Sequence, residues 1–323
     1  MPGSQILDLV RNYENYRSQT LNLIPSENLL SPGVLEALSS TLAGRYSGKP
    51  ESYGGSGIFH QIWKNCEKLA AAVFTCKFSS VAPVSGHLAG MMAIDSVCKR
   101  RDTMLVLSSK FGGYKGYNSG FIPDVFGLKV AYLPFDEKRF DINSDSALKL
   151  IKKTRPAAVI LGATVFLFPH PVKEISEVVR SYGGKVIYDG SHVMGLVAGG
   201  EFQSPLDEGA DLLLGSTHKT LFGPQGGIIL SNNDDLIKKI ESGYLYRFID
   251  NFHLNRIAAL GVALEEMKIH GRKYAKRVIQ NSKALAEVLD AKGLPVAARE
   301  SGFTRSHQVF LNYGNQGERS ATH

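Results

Sequence analysis

The chain is poor in cysteine and contains no long apolar run. Its three cysteines, Cys66, Cys76 and Cys98, form no CxxC pair, which excludes a disulfide framework and favours a reducing compartment. The longest uncharged apolar stretch, residues 156–169, is shorter than the roughly 20 residues of a membrane-spanning helix. The N-terminal residues carry no apolar block of the signal-peptide kind. We therefore expect a cytoplasmic protein without membrane segments, and we predict no metal site.

Positive charge is in modest excess, with 37 Lys+Arg against 30 Asp+Glu and a net charge of +7. The excess lies in short clusters at residues 99–101, 152–153, 238–239 and 272–273. None of these clusters alternates with aromatic residues as a single-strand nucleic-acid platform would, and no recognition motif accompanies them. We interpret them as solvated helix ends, with attraction of anionic small molecules as the alternative, and we expect no nucleic-acid partner.

Short apolar runs alternate with amphipathic stretches from residue 79 onward. The runs have the length of strands and occupy residues 104–107, 129–133, 157–161, 185–188, 211–214 and 227–230. Helix-like patterns lie between several of them, at residues 88–98, 145–151 and 172–181. This alternation predicts an α/β fold with a large, mostly parallel sheet that is buried on both faces. In such sheets, ligands bind beyond the carboxyl ends of the strands.

The 323 residues exceed the roughly 250–300 at which a single core usually divides, so we expect a large domain and a smaller one. Residues 1–45 are expected to form an N-terminal helix and an arm, and residues 46–250 the large domain. Residues 251–323 are expected to hold a long linking helix and then a strand at 308–311. Too few residues follow this helix for a second core, so the smaller α/β domain would be truncated.

The sequence after the apolar run 211–214 is the strongest chemical signal. It reads Gly-Ser-Thr-His-Lys-Thr-Leu-Phe-Gly-Pro-Gln-Gly-Gly over residues 215–227 and places Lys219 among hydroxyls and glycines. Most lysines in such loops are simply exposed. A partly desolvated lysine, by contrast, has a lowered pKa and can form a Schiff base with an aldehyde. The hydroxyls of Ser216 and Thr217 would suit a nearby phosphate.

A carboxylate and a histidine follow the apolar run 185–188. Asp189 ends this run, and His192 lies three residues further on. Asp189 is either a helix N-cap or, beside a Schiff-base lysine, a partner for the pyridinium nitrogen of pyridoxal phosphate. His192 either contacts the same ligand or is a structural histidine.

A predicted helix begins after residues 81–83, at Ser85, Gly86 and His87. The free N–H groups and the dipole of a helix start bind phosphate well, although an ordinary N-cap gives the same pattern. Phosphate anchor, acid and lysine therefore occur in the chain order expected for a pyridoxal-phosphate site.

Three segments together resemble the serine hydroxymethyltransferase family. They are the lysine motif at residues 216–227, Tyr-Asp-Gly-Ser-His-Val-Met-Gly-Leu-Val-Ala-Gly at 188–199, and Leu-Ile-Pro-Ser-Glu-Asn at 23–28. Residues 162–171 and Gln225 look like the archaeal branch. The resemblance extends from about residue 20 to the end of the chain. It implies a fold-type-I pyridoxal-phosphate enzyme and a homodimer whose sites lie at the subunit interface.

The resemblance also implies a role for each matching residue. Lys219 would form the Schiff base with the cofactor, Asp189 would contact the ring nitrogen, and His192 would lie near the phenolic oxygen. Further cofactor contacts are implied for Ser85, Gly86, His87, Tyr114, Thr164 and Ser216. Substrate contacts are implied for Ser26, Tyr46 and Tyr53, and catalytic roles for Lys219, Asp189, His192, His218 and Tyr53, the last acting across the interface.

The match departs from the family pattern at three places. This chain has Gly48 where family members carry a catalytic glutamate, and Glu51 is the nearest carboxylate. It has Tyr114 where they carry a histidine that stacks on the cofactor; tyrosine can stack as well, but its phenol titrates near pH 10. The family's arginine that binds the substrate carboxylate lies in the smaller C-terminal domain, in a region that these 323 residues do not include. We expect weak amino-acid binding unless that region is supplied.

The expected activity is the interconversion of serine and glycine, with the one-carbon unit passed to a reduced pterin, tetrahydrofolate or tetrahydromethanopterin. The alternative is an aldolase for threonine or another β-hydroxy amino acid, which needs no pterin and which the missing glutamate favours. A non-catalytic homologue that binds pyridoxal phosphate is a further alternative, because the carboxylate-binding arginine is absent.

Overall fold

The computed structural model describes residues 4–46 and 57–314, which form an α/β architecture. The helices are α1 (Gln5–Ser18), α2 (Pro32–Leu38), α3 (Gly57–Val73), α4 (Gly86–Val97), α5 (Ile122–Phe126), α6 (Ser144–Thr154), α7 (Val172–Arg180), α8 (Met194–Ala198), α9 (Asp234–Tyr244) and α10 (Leu254–Ala291). The strands are β1 (Phe78–Ser80), β2 (Thr103–Val106), β3 (Lys129–Tyr132), β4 (Phe135–Asp136), β5 (Asp141–Ile142), β6 (Ala158–Leu161), β7 (Lys185–Asp189), β8 (Leu212–Ser216) and β9 (Gly227–Ser231). Within these two ranges, no helix has both the length and the apolar character needed to cross a bilayer.

Seven strands form one sheet in the order β1-β9-β8-β7-β6-β2-β3. Strand β9 runs antiparallel to β1 and β8, and the other neighbouring strands pair in parallel. Every residue of β6, β8 and β9 is buried, as in sheets that are covered on both faces. The predicted α/β fold with a large, mostly parallel sheet is therefore confirmed, and all six predicted apolar runs form strands of this sheet.

Two edges of the sheet differ from the prediction. Strand β1 was not predicted, because its sequence Phe-Ser-Ser carries a single large apolar residue. It forms nonetheless, since β9 offers it an antiparallel partner. Strand β3 is not buried on both faces, and Lys129 and Tyr132 are exposed. The reason is its position at the opposite edge of the sheet, where one side has no neighbouring strand.

The helices follow from apolar spacing and from caps. In α6, Asn143 caps the first turn by accepting a hydrogen bond from the Ser146 N–H, and Ala147 and Ile151 face the core. The long helical pattern predicted after residue 251 is α10, which buries a stripe at a spacing of three or four residues. This stripe consists of Leu254, Ile257, Leu260, Leu264 and Met267.

The strand predicted at residues 308–311 is wrong. Leu311 forms only an isolated bridge with Val296. Residues before it are held by the loop after β6: the Arg305 N–H donates to the Leu167 carbonyl, and Gln308 Oε1 accepts from the Phe166 N–H at 2.5 Å. Because residues 305–308 form hydrogen bonds with the loop after β6, they pack against the seven-stranded sheet and its loops. The division of the chain at residues 46 and 251 stays a prediction.

A buried histidine in the loop after β6, His170, makes the free energy of unfolding depend on pH. The His170 ring packs 4.4 Å from the Phe166 ring, between ring centroids, and burial lowers the pKa of His170 to about 3. The unfolded chain protonates this histidine below about pH 6.5, whereas the folded chain does so only near pH 3. The stability that neutral His170 provides is therefore present above pH 6.5 and is lost as the pH falls.

We expect His170→Phe, which keeps a ring but cannot titrate, to flatten this dependence. Between pH 7 and pH 5, the parent should lose about 2 kcal/mol more of its free energy of unfolding than the variant does. Urea unfolding of both proteins at the two pH values measures the difference. Contributions from other groups are common to both proteins and cancel. Equal losses in the two proteins would show that His170 is not held neutral by the fold.

Candidate functional site

A pocket lies where the carboxyl ends of β7 and β8 meet the start of α4. Eight of the predicted site residues line it, together with Ala163 and Ser191. The predicted residues are Gly86, His87, Tyr114, Thr164, Asp189, His192, Ser216 and Lys219. The fold therefore brings together residues that are up to 133 positions apart in the chain (219 − 86). Parallel strands produce this convergence, because their carboxyl ends share one edge of the sheet.

The amine of Lys219 is half-buried in the loop after β8. Burial lowers the pKa of this amine, and the negative charge of Asp189 opposes part of that change. The loop is fixed from three sides. The Thr217 hydroxyl donates to the Pro224 carbonyl at 2.6 Å, the Thr220 hydroxyl donates to the His192 carbonyl at 2.8 Å, and the Asn28 side chain donates to the Lys219 carbonyl at 2.9 Å. The Thr217 hydroxyl is thus used by its own loop and is not offered to a phosphate.

The carboxylate of Asp189 is buried at the end of β7. Its Oδ2 accepts a hydrogen bond of 2.7 Å from the Tyr117 hydroxyl, and its Oδ1 accepts one of 3.0 Å from the Ser191 N–H. Each carboxylate oxygen therefore has a donor within the chain. These two bonds fix the plane of the carboxylate, which lies in one pocket with Lys219.

Helix α4 begins directly against the end of β8. Ser85 is its N-cap, with Oγ accepting from the Leu88 N–H at 3.1 Å. A β-carbon at residue 86 would lie 2.3 Å from the Ser216 Oγ, so only glycine allows this approach. The Ser216 N–H in turn donates to the Ser191 hydroxyl at 3.0 Å. The first turn of α4 thus presents N–H groups without an intrahelical acceptor next to hydroxyls at the pocket, an arrangement suited to an anion.

Tyr114 and His87 line the pocket next to each other. Tyr114 Oη lies 2.8 Å from Nδ1 of His87, and the Tyr114 ring meets Tyr117 edge to face with 5.1 Å between centroids. Burial, with a smaller contribution from the charge of Asp189, raises the pKa of the Tyr114 phenol. The phenol is therefore protonated near neutral pH, and the tautomer of His87 sets which of the two groups donates in their hydrogen bond.

Two residues that contact His192, namely His307 and Gln308, belong to no sequence motif of the predicted site. The Gln308 amide Nε2 lies 3.3 Å from Nδ1 of His192 and also donates to the Thr164 carbonyl at 2.8 Å. The His307 ring stacks on the His192 ring at 6.0 Å, and its Nε2 lies 2.9 Å from the Pro25 carbonyl. The one available signal was a glutamine, a residue with unmet hydrogen bonds, at the start of an apparently strand-like run.

Three histidines near Lys219, namely His192, His218 and His307, are held towards the neutral form. Burial lowers the pKa of His192 to about 2 and that of His307 to about 4, and the positive charge of Lys219 acts in the same direction on both. Burial and the same charge lower the pKa of His218, whose Nδ1 has no partner within the described residues. At neutral pH these rings can accept or donate hydrogen bonds but carry no charge.

Two of the residues predicted to bind the substrate, Ser26 and Tyr46, do not line the pocket. Tyr46 donates to the Asp250 carboxylate at 3.2 Å and does not line the pocket. Ser26 lies between Pro25, which contacts His307, and Asn28, which contacts the Lys219 loop, so the arm approaches the pocket in this chain. Tyr53, together with Glu51 and Gly48, lies outside the described residues.

Comparison with known proteins identifies the family of the chain. The model of the family "Serine hydroxymethyltransferase" matches residues 2–322. The chain is 41% identical over 315 residues to the serine hydroxymethyltransferase of Methanopyrus kandleri, covering 97% of this chain and 73% of that protein. It is 39% identical to that of Pyrobaculum neutrophilum, with 97% and 74% covered.

A solved structure has the same fold. L-threonine transaldolase from Pseudomonas fluorescens superimposes with a TM-score of 0.89 at 27% identity, covering 97% of this chain and 74% of that one. The sequence match spans nearly the whole chain and includes the lysine loop, the end of β7 and the start of α4. The chain therefore belongs to the serine hydroxymethyltransferase family, whose members transfer one-carbon groups with pyridoxal phosphate as cofactor.

Proposed function

We propose that this protein interconverts serine and glycine and passes the one-carbon unit to a reduced pterin. The observation that carries the proposal is a half-buried lysine amine and a fixed, buried carboxylate lining one pocket, at Lys219 and Asp189. Family membership supports the same activity, since the archaeal relatives bear that name. We propose tetrahydromethanopterin or tetrahydrofolate as the carrier and the cytoplasm as the location.

The chemistry of the pocket fits pyridoxal phosphate. When bound, this cofactor supplies an aldehyde that condenses with amines and a pyridinium ring that accepts electrons from Cα. We propose that Lys219 holds the aldehyde carbon and Asp189 the ring nitrogen. The first turn of α4 and Ser216 would hold the phosphate, since a β-carbon at Gly86 would fill the space between them. Tyr114 would cover one face of the ring, with Thr164 nearby.

Each of these side chains has one task in the proposed reaction. Lys219, with its lowered pKa, has a larger fraction of free amine near neutral pH than an exposed lysine and so attacks an aldehyde more readily. Asp189 holds a proton at the ring nitrogen, which lets the ring take up the charge that develops at Cα. His192 is neutral and lies within hydrogen-bond distance of Gln308. It would orient the phenolic oxygen of the cofactor without adding charge to the pocket.

The roles of the remaining residues are proposals of the same kind. His87 and Ser85 would support the phosphate and the Tyr114 phenol, and His218 would act next to Lys219. Ser26 would bind the substrate carboxylate from the arm. Tyr46 and Tyr53 would act across a subunit interface, which agrees with the position of Tyr46 outside the pocket of its own chain.

A homodimer is supported by the surface of α1. This helix has no buried residue, yet Ile6, Leu9, Tyr13 and Tyr16 form an apolar stripe with spacings of three and four residues. An amphipathic helix gains stability by burying such a stripe against another element. We propose that the stripe packs against a second copy of the chain.

Replacing Leu9 and Tyr13 together by glutamate should dissociate the dimer, because four carboxylate charges would then face each other or apolar surface across the twofold interface. Sedimentation equilibrium measures the mass. The matched control is Asn15→Glu with Ser18→Glu, two exposed positions on the polar face of the same helix, which should stay dimeric. A dimer that survives the first pair of changes, or a parent that is monomeric, would contradict the proposal.

The activity is tested by glycine formation from serine and from L-threonine, each with and without reduced pterin. Serine cleavage that depends on a pterin is the expected result, and comparing tetrahydrofolate with tetrahydromethanopterin identifies the carrier. Absence of turnover with every combination would overturn the proposed function.

A second candidate function is threonine cleavage or transfer of its aldehyde unit. It is favoured by the structural likeness to L-threonine transaldolase and by Gly48 in place of the family's glutamate. Pterin-independent glycine formation that is faster from threonine than from serine would decide for this candidate.

A further inference from the structure

The phenol of Tyr117 is buried beneath the pocket and contacts Asp189, the residue proposed to bind the ring nitrogen of the cofactor. Tyr117 ends a short 3-10 helix, Lys115–Tyr117, and is 4% exposed. Its hydroxyl donates to Asp189 Oδ2 at 2.7 Å, the shorter of the two hydrogen bonds that this carboxylate accepts. Tyr117 does not line the pocket itself. It therefore touches Asp189 from behind rather than from the side of a ligand.

The surrounding residues fix the position of this hydroxyl. A β-carbon at residue 90 of α4 would lie 2.5 Å from the Tyr117 Oη and 3.1–3.2 Å from the ring carbons, so Gly90 forms the notch in which the phenol sits. Tyr114 meets the Tyr117 ring edge to face on another side. Because helix, ring and carboxylate surround the phenol, its hydroxyl is directed at Asp189.

The hydroxyl also keeps its proton. Burial raises the pKa of Tyr117 well above 10, and the charge of Asp189 acts in the same direction. Tyr117 is therefore a donor throughout the pH range in which an enzyme of this kind is assayed. A donor that never loses its proton gives the Asp189 carboxylate a constant hydrogen-bond partner and a constant orientation.

We propose that Tyr117 is a positioning residue, which acts through Asp189 on the ring nitrogen of the bound cofactor. The hydrogen bond on Oδ2 and that of the Ser191 N–H on Oδ1 hold the carboxylate plane in one orientation, ready to pair with the nitrogen. This inference rests on the proposed function, because it requires pyridoxal phosphate in the pocket.

The experiment compares two ligands that differ only at the ring nitrogen. The cofactor-free forms of the parent and of Tyr117→Phe are each titrated with two ligands, pyridoxal phosphate and its 1-deaza analogue. In the analogue, a C–H group replaces the ring nitrogen. Quenching of protein fluorescence measures binding. In Tyr117→Phe, we expect pyridoxal phosphate to bind about tenfold more weakly. The analogue, which makes no bond to Asp189, should bind to parent and variant within about twofold of each other.

Tyr182→Phe is the matched control. The Tyr182 hydroxyl is also buried, has no hydrogen-bond partner within the described residues, and lies at a different cavity from that of Lys219. Its loss should change the binding of neither ligand.

The second variant, Gly90→Ala, keeps the hydroxyl but displaces it, since the added carbon would be 2.5 Å from the Tyr117 Oη. It should weaken the binding of pyridoxal phosphate selectively, as Tyr117→Phe does. This result would support the inference even if Tyr117→Phe fails to fold.

Equal weakening of both ligands would mean that Tyr117 only maintains the shape of the pocket and would overturn the inference, as would an unchanged affinity for pyridoxal phosphate. In both of these cases the parent still binds the cofactor and the proposed function stands. A parent that binds no pyridoxal phosphate would instead overturn the proposed function, and this inference with it.

Discussion

Lys219→Ala is expected to abolish covalent capture of pyridoxal phosphate and to lower the rate of serine cleavage by at least about 10³-fold, roughly 4 kcal/mol of activation free energy. Lys219 is the one lysine among the residues that line the pocket in the described part of the chain. Without its amine, no side chain at this position can condense with the aldehyde. Borohydride reduction of the loaded protein, followed by peptide mapping, should label residue 219 in the parent and no residue in the variant.

The control for this experiment is Lys115→Ala. Lys115 is next to the site in sequence, but its amine lies over the Phe121 ring, 5.5 Å from the ring centroid, and it does not line the pocket. This variant should be labelled at Lys219 to the same extent as the parent. A label on another lysine of the parent, or an undiminished rate in Lys219→Ala, would show that the amine is wrongly assigned. The fold should survive the change, because the side chain of Lys219 is only half-buried.

Asp189→Asn should leave covalent capture intact but lower the exchange of the glycine α-proton by about 10³-fold. The amide has nearly the same shape as the carboxylate, and its carbonyl oxygen can still accept from Tyr117 or from the Ser191 N–H. It carries no negative charge, however, and so cannot hold a proton at the ring nitrogen, which is the condition for the ring to accept charge from Cα. Proton NMR of glycine in deuterated water measures the exchange.

Asp211→Asn serves as the comparison. Asp211 lies at the opposite end of β8 and pairs with Lys185 at 2.9 Å, far from the carboxyl ends of the strands. Its loss should reduce stability without changing the ratio of exchange to cofactor bound. If Asp189→Asn exchanged protons at the parental rate, the proposed contact with the ring nitrogen would have to be abandoned.

The two residues behind these expectations could be found in the sequence because each follows a buried strand. A continuous apolar run predicts a strand covered on both faces, and a charged residue at its end or in the loop that follows predicts a position at the edge where ligands bind. Lys219 and Asp189 both satisfy this pattern, and the structure brings both into one pocket. Gly86 could be found in the same way, from the start of a helix after an apolar segment.

Other residues of the site could not be found in this way. Tyr117 reaches Asp189 across 72 positions of sequence, and its own neighbours show only a glycine-rich loop. The sequence around Gln308 predicts a strand, because in isolation an alternating run such as residues 308–311 favours that structure. In the folded chain, the loop after β6 binds its side chain, and these tertiary bonds take precedence over the weak preference of four residues for a strand.

The linear order of residues is enough to predict the class of the fold, the six apolar strands, and a lysine and a carboxylate that line one pocket. These depend on local periodicity and on residue types next to it, which are readable along one stretch of chain. Three features become visible only in the folded chain: the Tyr117 phenol donates to the carboxylate, Gly90 makes room for that phenol, and His307 and Gln308 contact His192. Such contacts join residues far apart in the chain, and their geometry is set by how helices and loops pack around the sheet.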